Sequence, residues 1–116
     1  MRPGASTPEE LELLFEDALV LGDRDAVAQL FDHEAVLVAA DGATEARGSQ
    51  RIARLATTMC DHGYSYLADP RLVLQTLDIT LVVAERYINV MRRHDRRWRY
   101  AITLLHTDDT TERNTR

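Results

Sequence analysis

From Leu11 the chain places apolar residues at helical spacing, with Leu11, Leu14, Phe15, Ala18 and Leu19 on one face. Thr7-Pro8-Glu9-Glu10 ahead of them is a helix start. Thr7 can cap, Pro8 suits the first helical position, and Glu10 completes a capping box. Gly22 ends this helix because glycine takes the left-handed conformation cheaply, and Asp23 caps a second one with Ala26, Val27, Leu30 and Phe31 inward. Residues 35–40 then read as a short strand, Asp41-Gly42 as a tight hairpin turn and Ala43–Arg47 as the return strand. Gly48-Ser49 opens a third helix, which carries Ile52, Leu55, Ala56, Met59 and Cys60 on one face and ends at Gly63.

Beyond Gly63 the pattern is that of sheet. Residues 64–77 are interrupted by Asp69-Pro70, where proline forces a bulge or an edge position. Ile79–Met91 reads as one long, bent strand, Arg92–Arg97 as a polar turn and Trp98–His106 as the last strand. Helices first and strands after them predict an α+β fold. The expected architecture is a curved antiparallel sheet forming a cone, with three helices from the N-terminal half packed on its concave side. One domain over residues 7–107 is expected, with flexible tails at 1–6 and 108–116.

The 116-residue length suits one core, and no apolar run is long enough to span a bilayer. MRPGASTPEEL lacks the apolar segment of a secretion signal, and the single cysteine, Cys60, fits a reducing compartment, so a cytoplasmic location is expected. The net charge of −5 argues against nucleic acid as a partner. All 14 basic residues are arginine, which removes lysine Schiff-base chemistry and the phosphate-loop lysine.

The stretch LGDRDAVAQLFDHEAVLV, the DG turn, the RGSQRIARL helix start and the terminal RRWRYAITLLH strand together resemble the nuclear transport factor 2-like superfamily. Within it, the resemblance is to the SnoaL-like and ketosteroid isomerase-like branch, over roughly residues 7–107. The resemblance implies a bent sheet closed into a cone by helices, an apolar pocket and a homodimer. It does not imply one reaction, since members include isomerases, cyclases, dehydratases, epoxide hydrolases and binding modules. Aligned on Gly22-Asp23, the isomerase's helix tyrosine falls at Phe15 and its general-base aspartate at Ala39. Phe15 has no hydroxyl and Ala39 accepts no proton, so the usual isomerase chemistry lacks both groups. The arginine–aspartate pair of the epoxide hydrolases does not occur in the strands.

Alternation along the last strand puts Trp98, Tyr100, Ile102, Leu104 and His106 on one face, and along the strand before it Glu85, Tyr87, Asn89 and Met91. Mixed apolar and polar faces of this kind suit a small-ligand site. The expected pocket wall comprises Phe15, Leu19, Leu37, Ala39, Met59, Tyr66, Tyr87, Asn89, Met91, Trp98, Tyr100 and Ile102. Tyr87, Asn89 and Tyr100 would hold a carbonyl or phenol oxygen, with Tyr100 and His106 as the candidate catalytic pair. The competing reading buries the tyrosine rings in the core, satisfies a backbone group with Asn89 and leaves His106 at an exposed strand end. Trp98 is expected to pack in the core or at a dimer interface rather than on a ligand.

Asp41 and Glu45 flank the first hairpin and can reach a pocket mouth, although turn chemistry alone accounts for Asp41. Cys60 continues an inward stripe, so an inert thiol is expected. His33, His62, His94 and His106 show no metal-ligand spacing with it, and neither metal nor cofactor is expected. RRHDRRWR, residues 92–99, carries five arginines and reads as a solvated turn rather than a phosphate site. Two functions remain open. The first is an enzyme or carrier acting without a cofactor on a small hydrophobic molecule. The second is a non-catalytic dimeric module whose pocket is filled by its own side chains. In either case a homodimer is expected through an outer sheet face bearing Val82, Ile88, Val90 and Leu105.

Overall fold

The LGD corner joins two helices with almost no connecting loop. In a computed structural model, which describes residues 4–39 and 44–106, α1 spans Pro8–Leu21 and α2 Arg24–Gln29. Gly22 sits at φ 65°. Its N–H donates to the Leu19 carbonyl at 3.1 Å and the Asp23 N–H to the Ala18 carbonyl at 3.0 Å, closing the last turn of α1. The Asp23 carboxylate then accepts from the Ala26 N–H at 3.1 Å and starts α2. At the other end of α1, Thr7 Oγ1 accepts from the Glu10 N–H at 3.0 Å, while the Glu10 carboxylate accepts from the Ser6 N–H at 2.6 Å.

The remaining elements are β1 (Phe31–Ala39), β2 (Thr44–Arg47), α3 (Ser49–Asp61), β3 (Pro70–Gln75), β4 (Ile79–Ala84), β5 (Tyr87–His94) and β6 (Arg97–Leu105). They build a curved, unclosed sheet in the order β2-β1-β6-β5-β4-β3. The architecture is α+β, three helices against this sheet. The sheet is mixed rather than purely antiparallel, because β1 runs parallel to β6. The Asp41-Gly42 turn lies outside the described residues, although β1 and β2 pair antiparallel from Val36 opposite Arg47 to Ala39 opposite Thr44.

Four local expectations need correction. Leu30 and Phe31 leave the helix: the Leu30 carbonyl accepts from the Tyr100 N–H at 2.8 Å, and Phe31 pairs with Tyr100 as the first residue of β1. Ile79–Met91 is two strands, because the ladder ends at Val83 opposite Ile88 and residues 84–87 turn the chain. Residues 4–6 are not a loose lead-in: Ala5 exchanges two hydrogen bonds with Trp98, at 2.9 and 2.7 Å, and Arg97 Nη2 donates to the Gly4 carbonyl at 2.8 Å. Gly4 is required there, at φ 96° with a Cβ position only 2.6 Å from the Trp98 carbonyl oxygen.

The fourth correction sets the faces of the sheet. Val90 pairs with Ile102 but Met91 pairs with Tyr100, so Ala101 is an extra residue in β6. Such a bulge exchanges the faces of everything beyond it. Trp98 and Tyr100 therefore share the concave face with Thr103 and Leu105, while Ile102 turns outward and is 50% exposed. Val82 and Leu105, expected outside, are buried on the concave side. The core lies between that face and the inner stripes of the helices, with Leu11, Phe15, Val27, Leu37, Ile52, Met91 and Leu105 fully buried.

Candidate functional site

Glu12 follows Leu11 on α1 and precedes Phe15 by three residues, so the inward turn of the helix carries a carboxylate into the core. Its side chain is almost fully enclosed. Burying a carboxylate is costly unless donors replace its water, and here four side chains do so. Oε1 accepts from Tyr87 at 2.6 Å. Oε2 accepts from Tyr100 at 2.7 Å and from Asn89 Nδ2 at 2.9 Å. The Tyr66 hydroxyl lies 3.1 and 3.0 Å from the two oxygens and itself accepts from Asn89 Nδ2 at 3.1 Å. Tyr87 is held in turn by the Asp69 N–H, which donates to its hydroxyl at 3.1 Å.

Strand alternation delivers these donors. Tyr87 and Asn89 occupy alternate positions of β5, and the bulge at Ala101 brings Tyr100 opposite Met91 on the same face. Tyr66 arrives from the segment between α3 and β3. The rings pack as one layer, with Phe15 4.6 Å from Tyr66 and 5.2 Å from Tyr100, and Tyr66 4.7 Å from Tyr87. Burial, and after it the Glu12 carboxylate, raises the Tyr66 and Tyr87 hydroxyls above the usual tyrosine range. Burial, then Tyr66 and Glu12, raises Tyr100 in the same direction. The hydroxyls thus hold their protons and act as donors.

A cleft of about 220 Å³ opens beside this network between α1 and the β3–β4 edge. Its walls are Pro8, Leu13, Ala68, Pro70, Val73 and Val82, with Glu9 and Glu12 as the ionisable groups. A second cleft, of about 250 Å³, reaches the other side of Tyr87 and is lined also by Tyr64, Leu67, Asp69 and Arg86.

Similarity to solved structures follows this architecture. A candidate calcium/calmodulin-dependent protein kinase type II association domain from Thiobacillus denitrificans superposes at a TM-score of 0.74, with 14% identity over 91% of this chain and 98% of that one. A ketosteroid isomerase-like protein from Erwinia carotovora atroseptica gives 0.70 at 16% identity, covering 87% and 93%. An NTF2-like protein with a cystatin-like fold from Novosphingobium aromaticivorans gives 0.65 at 18%, covering 86% and 79%. The chain has the nuclear transport factor 2-like fold. No protein-family model matches its sequence, and no curated protein does.

In this fold the expected pocket residues fall into three groups. Tyr66, Tyr87, Asn89 and Tyr100 meet around Glu12. Phe15, Leu19, Leu37, Ala39, Met91 and Trp98 are buried in the core, and Met59 packs partly buried against it. Ile102 is on the opposite face, a correction that follows from the bulge. None of these residues lines the α1–β3/β4 cleft. His106 is half-buried at the end of β6, where its N–H donates to the Arg86 carbonyl at 2.8 Å, and it is not among the groups bonded to Glu12. Burial and Asp61 push the Cys60 thiol up, which keeps it protonated. Among the described residues no His, Cys, Asp and Glu group suits a metal, and no helix is long and apolar enough to cross a membrane.

Glu12 is the site residue that the apolar pattern of α1 does not single out. Its signal lies in the spacing: positions 12, 15 and 19 keep the i, i+3, i+7 pattern, whereas Leu14, expected on that face, is 37% exposed. A carboxylate inside an apolar stripe is the mark of a buried polar site.

Proposed function

We propose that the protein binds a small, largely apolar molecule in the cleft between α1 and the β3–β4 edge, with Glu12 at the polar end and no cofactor. The observation that carries this is a buried carboxylate at the wall of a largely apolar cleft, the composition small-ligand sites use. Binding is favoured over an isomerase, cyclase or dehydratase reaction by the state of the polar groups. The four side chains around Glu12 already donate to it, so a proton-accepting role would require displacing them. The tyrosines are poorer acids than usual, which weakens them as proton donors to a substrate. Tyr100 then serves as an anchor of Glu12, and His106 takes no part. The test is a thermal-shift titration with cyclohexanol, phenol, cyclohexylamine and cyclohexanecarboxylate against the wild type and Val73→Trp, which fills the cleft. A dose-dependent rise that Val73→Trp abolishes supports the reading. A flat response to all of them refutes it.

A second reading concerns assembly and does not exclude the first. Leu72, Leu74, Ile79 and Ile102 are 47%, 55%, 39% and 50% exposed, and Ile88 and Val90 join them half-buried on the convex face. An apolar face of this extent favours an isologous homodimer through the outer side of the sheet. Sedimentation of the wild type as a dimer at micromolar concentration, and of Ile102→Arg as a folded monomer, is expected. A monomeric wild type refutes it.

A further inference from the structure

We infer that residues 64–69 form a strap that lifts from the body independently of the sheet, with Tyr66 as its latch. Lifting joins the two clefts beside the Glu12 network into one chamber with Glu12 on its wall. The inference concerns access to Glu12 and goes beyond the reading of the α1–β3/β4 cleft as a binding site.

The first argument is position. The segment connects α3 to β3 and belongs to neither a helix nor a strand. Gly63, at φ 100°, precedes it, and Pro70 opens β3 at its far end. A few element-terminal residues of this kind are enough to hinge a short segment while its neighbours stay in place. The segment runs between the two clefts. Ala68 lines the α1–β3/β4 cleft, whereas Ser65, Leu67 and Asp69 line the cleft on the other side of Tyr87. Tyr66 turns inward at 6% exposed, next to Leu67 at 67%. Its hydroxyl meets Glu12, a wall of the first cleft, and its ring lies 4.7 Å from that of Tyr87, a wall of the second. The Tyr66 side chain is therefore the partition, and its departure connects the two spaces.

The second argument is hydrogen bonding. Side chains tie the strap to the body. The Ala68 N–H donates to the Glu16 carboxylate at 3.4 Å, the Asp69 N–H to the Tyr87 hydroxyl at 3.1 Å, and the Tyr66 hydroxyl lies 3.1 and 3.0 Å from the Glu12 oxygens. These lengths are at or beyond the long end for such bonds. The bonds that Glu12 keeps when Tyr66 leaves are shorter: 2.6 Å from Tyr87 to Oε1, and 2.7 and 2.9 Å from Tyr100 and Asn89 to Oε2. Each carboxylate oxygen thus retains a donor, and opening does not strand the charge. Closure is held chiefly by the Tyr66 ring, which packs 4.6 Å from Phe15 and 4.7 Å from Tyr87. Tyr66 is the one donor of the network that can withdraw without disturbing the sheet, since Tyr87, Asn89 and Tyr100 are fixed in β5 and β6.

The test is hydrogen exchange at the Ala68 and Asp69 amides, followed by NMR on the full chain at a series of low urea concentrations, for the wild type and Tyr66→Phe. Exchange at both amides is expected to be flat in urea, because lifting the strap exposes little surface. Exchange in the β5–β6 ladder is expected to rise with urea, because it follows global unfolding. Tyr66→Phe keeps the ring and removes the bond to Glu12, and is expected to speed exchange at Ala68 and Asp69 about fivefold. Strap amides that accelerate with urea in step with the ladder overturn the inference, since the segment then opens only when the fold does. Exchange that is flat in urea but unchanged by Tyr66→Phe also overturns it, since the segment then frays without releasing Tyr66. If Tyr66→Phe fails the circular-dichroism check for folding, chymotryptic cleavage of the wild type after Tyr66 decides. A rate flat in urea supports the latch, and cleavage only in step with unfolding overturns it. No ligand enters either measurement, so its outcome is separate from that of the cleft titration.

Discussion

Tyr100→Phe isolates one bond of the Glu12 network. The Tyr100 ring is fully buried, with ring centroids 5.2 Å from Phe15 and 5.0 Å from Phe31, and phenylalanine keeps both contacts. The change removes only the hydroxyl that donates to Glu12 Oε2 at 2.7 Å. A hydrogen bond to a buried carboxylate contributes about 1.5–3 kcal/mol, more than one between neutral groups because the acceptor's charge is desolvated. Oε2 retains Asn89 and Tyr66, which places the expected loss near the middle of that range, about 2 kcal/mol. For a chain of this size the melting temperature then falls by about 8 °C. Tyr66→Phe should cost less, about 1 kcal/mol, because its bonds are longer at 3.1 and 3.0 Å and split between the two oxygens. Urea unfolding followed by circular dichroism measures both, with m unchanged. A double-mutant cycle with Glu12→Gln should give a coupling of at least about 1 kcal/mol. A Tyr100→Phe loss below about 0.5 kcal/mol at constant m, or an additive cycle, refutes the claim that this hydroxyl stabilises the carboxylate.

Alkaline pH should attack the same network. Tyr66, Tyr87 and Tyr100 are held above the ordinary value by burial first and by Glu12 among the further causes, so the folded state keeps protons that the unfolded chain releases above about pH 10. The stability present below that pH is lost as pH rises, with a slope of about 1.4 kcal/mol per unit for each tyrosine. Tyrosinate absorbance of these residues should appear together with loss of the fold, and titration of all of them in an intact fold would contradict the network. At the β5–β6 turn, Asp95 and Arg96 both have positive φ, 54° and 66°, and Arg96→Gly should raise stability by about 0.5–1 kcal/mol in urea unfolding. A loss there would mean that the Arg96 side chain contributes more than its backbone costs. At the α1–α2 corner, Gly22→Ala meets no atom within 4 Å of the new Cβ, so its cost is conformational, about 1 kcal/mol. Asp23→Ala should cost about as much through the lost cap, and calorimetric melting that leaves either variant unchanged would refute the corner's account.

What was legible in the sequence is what is decided locally. Thr7, Gly22, Asp23 and Gly63 mark helix ends because their own backbone or side chain completes the terminal hydrogen bonds within a few residues. Tyr87, Asn89 and Tyr100 were found as one set because alternation along two strands is equally local. The turn after Ala84 was missed because Glu85-Arg86 carries no glycine, proline or asparagine and apolar residues continue on both sides. The bulge at Ala101 has no residue signature either: it is set by how β5 pairs with β6, and it sent Ile102 to the face opposite the one expected. Glu12 required both levels at once. Its inward position was readable from helical spacing, but its partners are 54 to 88 residues away in sequence.

Those separations bear on how the fold is reached. The bonds to Glu12 connect the first helix to Tyr66, to β5 and to the last strand, so none of them can form until most of the chain has been collected. Closing such long loops is slow, and until it happens the carboxylate stays in water. A first helix docked one residue out of step would bring Leu11 or Leu13 to the tyrosine layer and strand its hydroxyls, or would trap Glu12 against hydrocarbon. The carboxylate therefore works as a proofreading element during assembly: incorrect seatings of the helix are penalised, and only the native one lets the charge leave solvent.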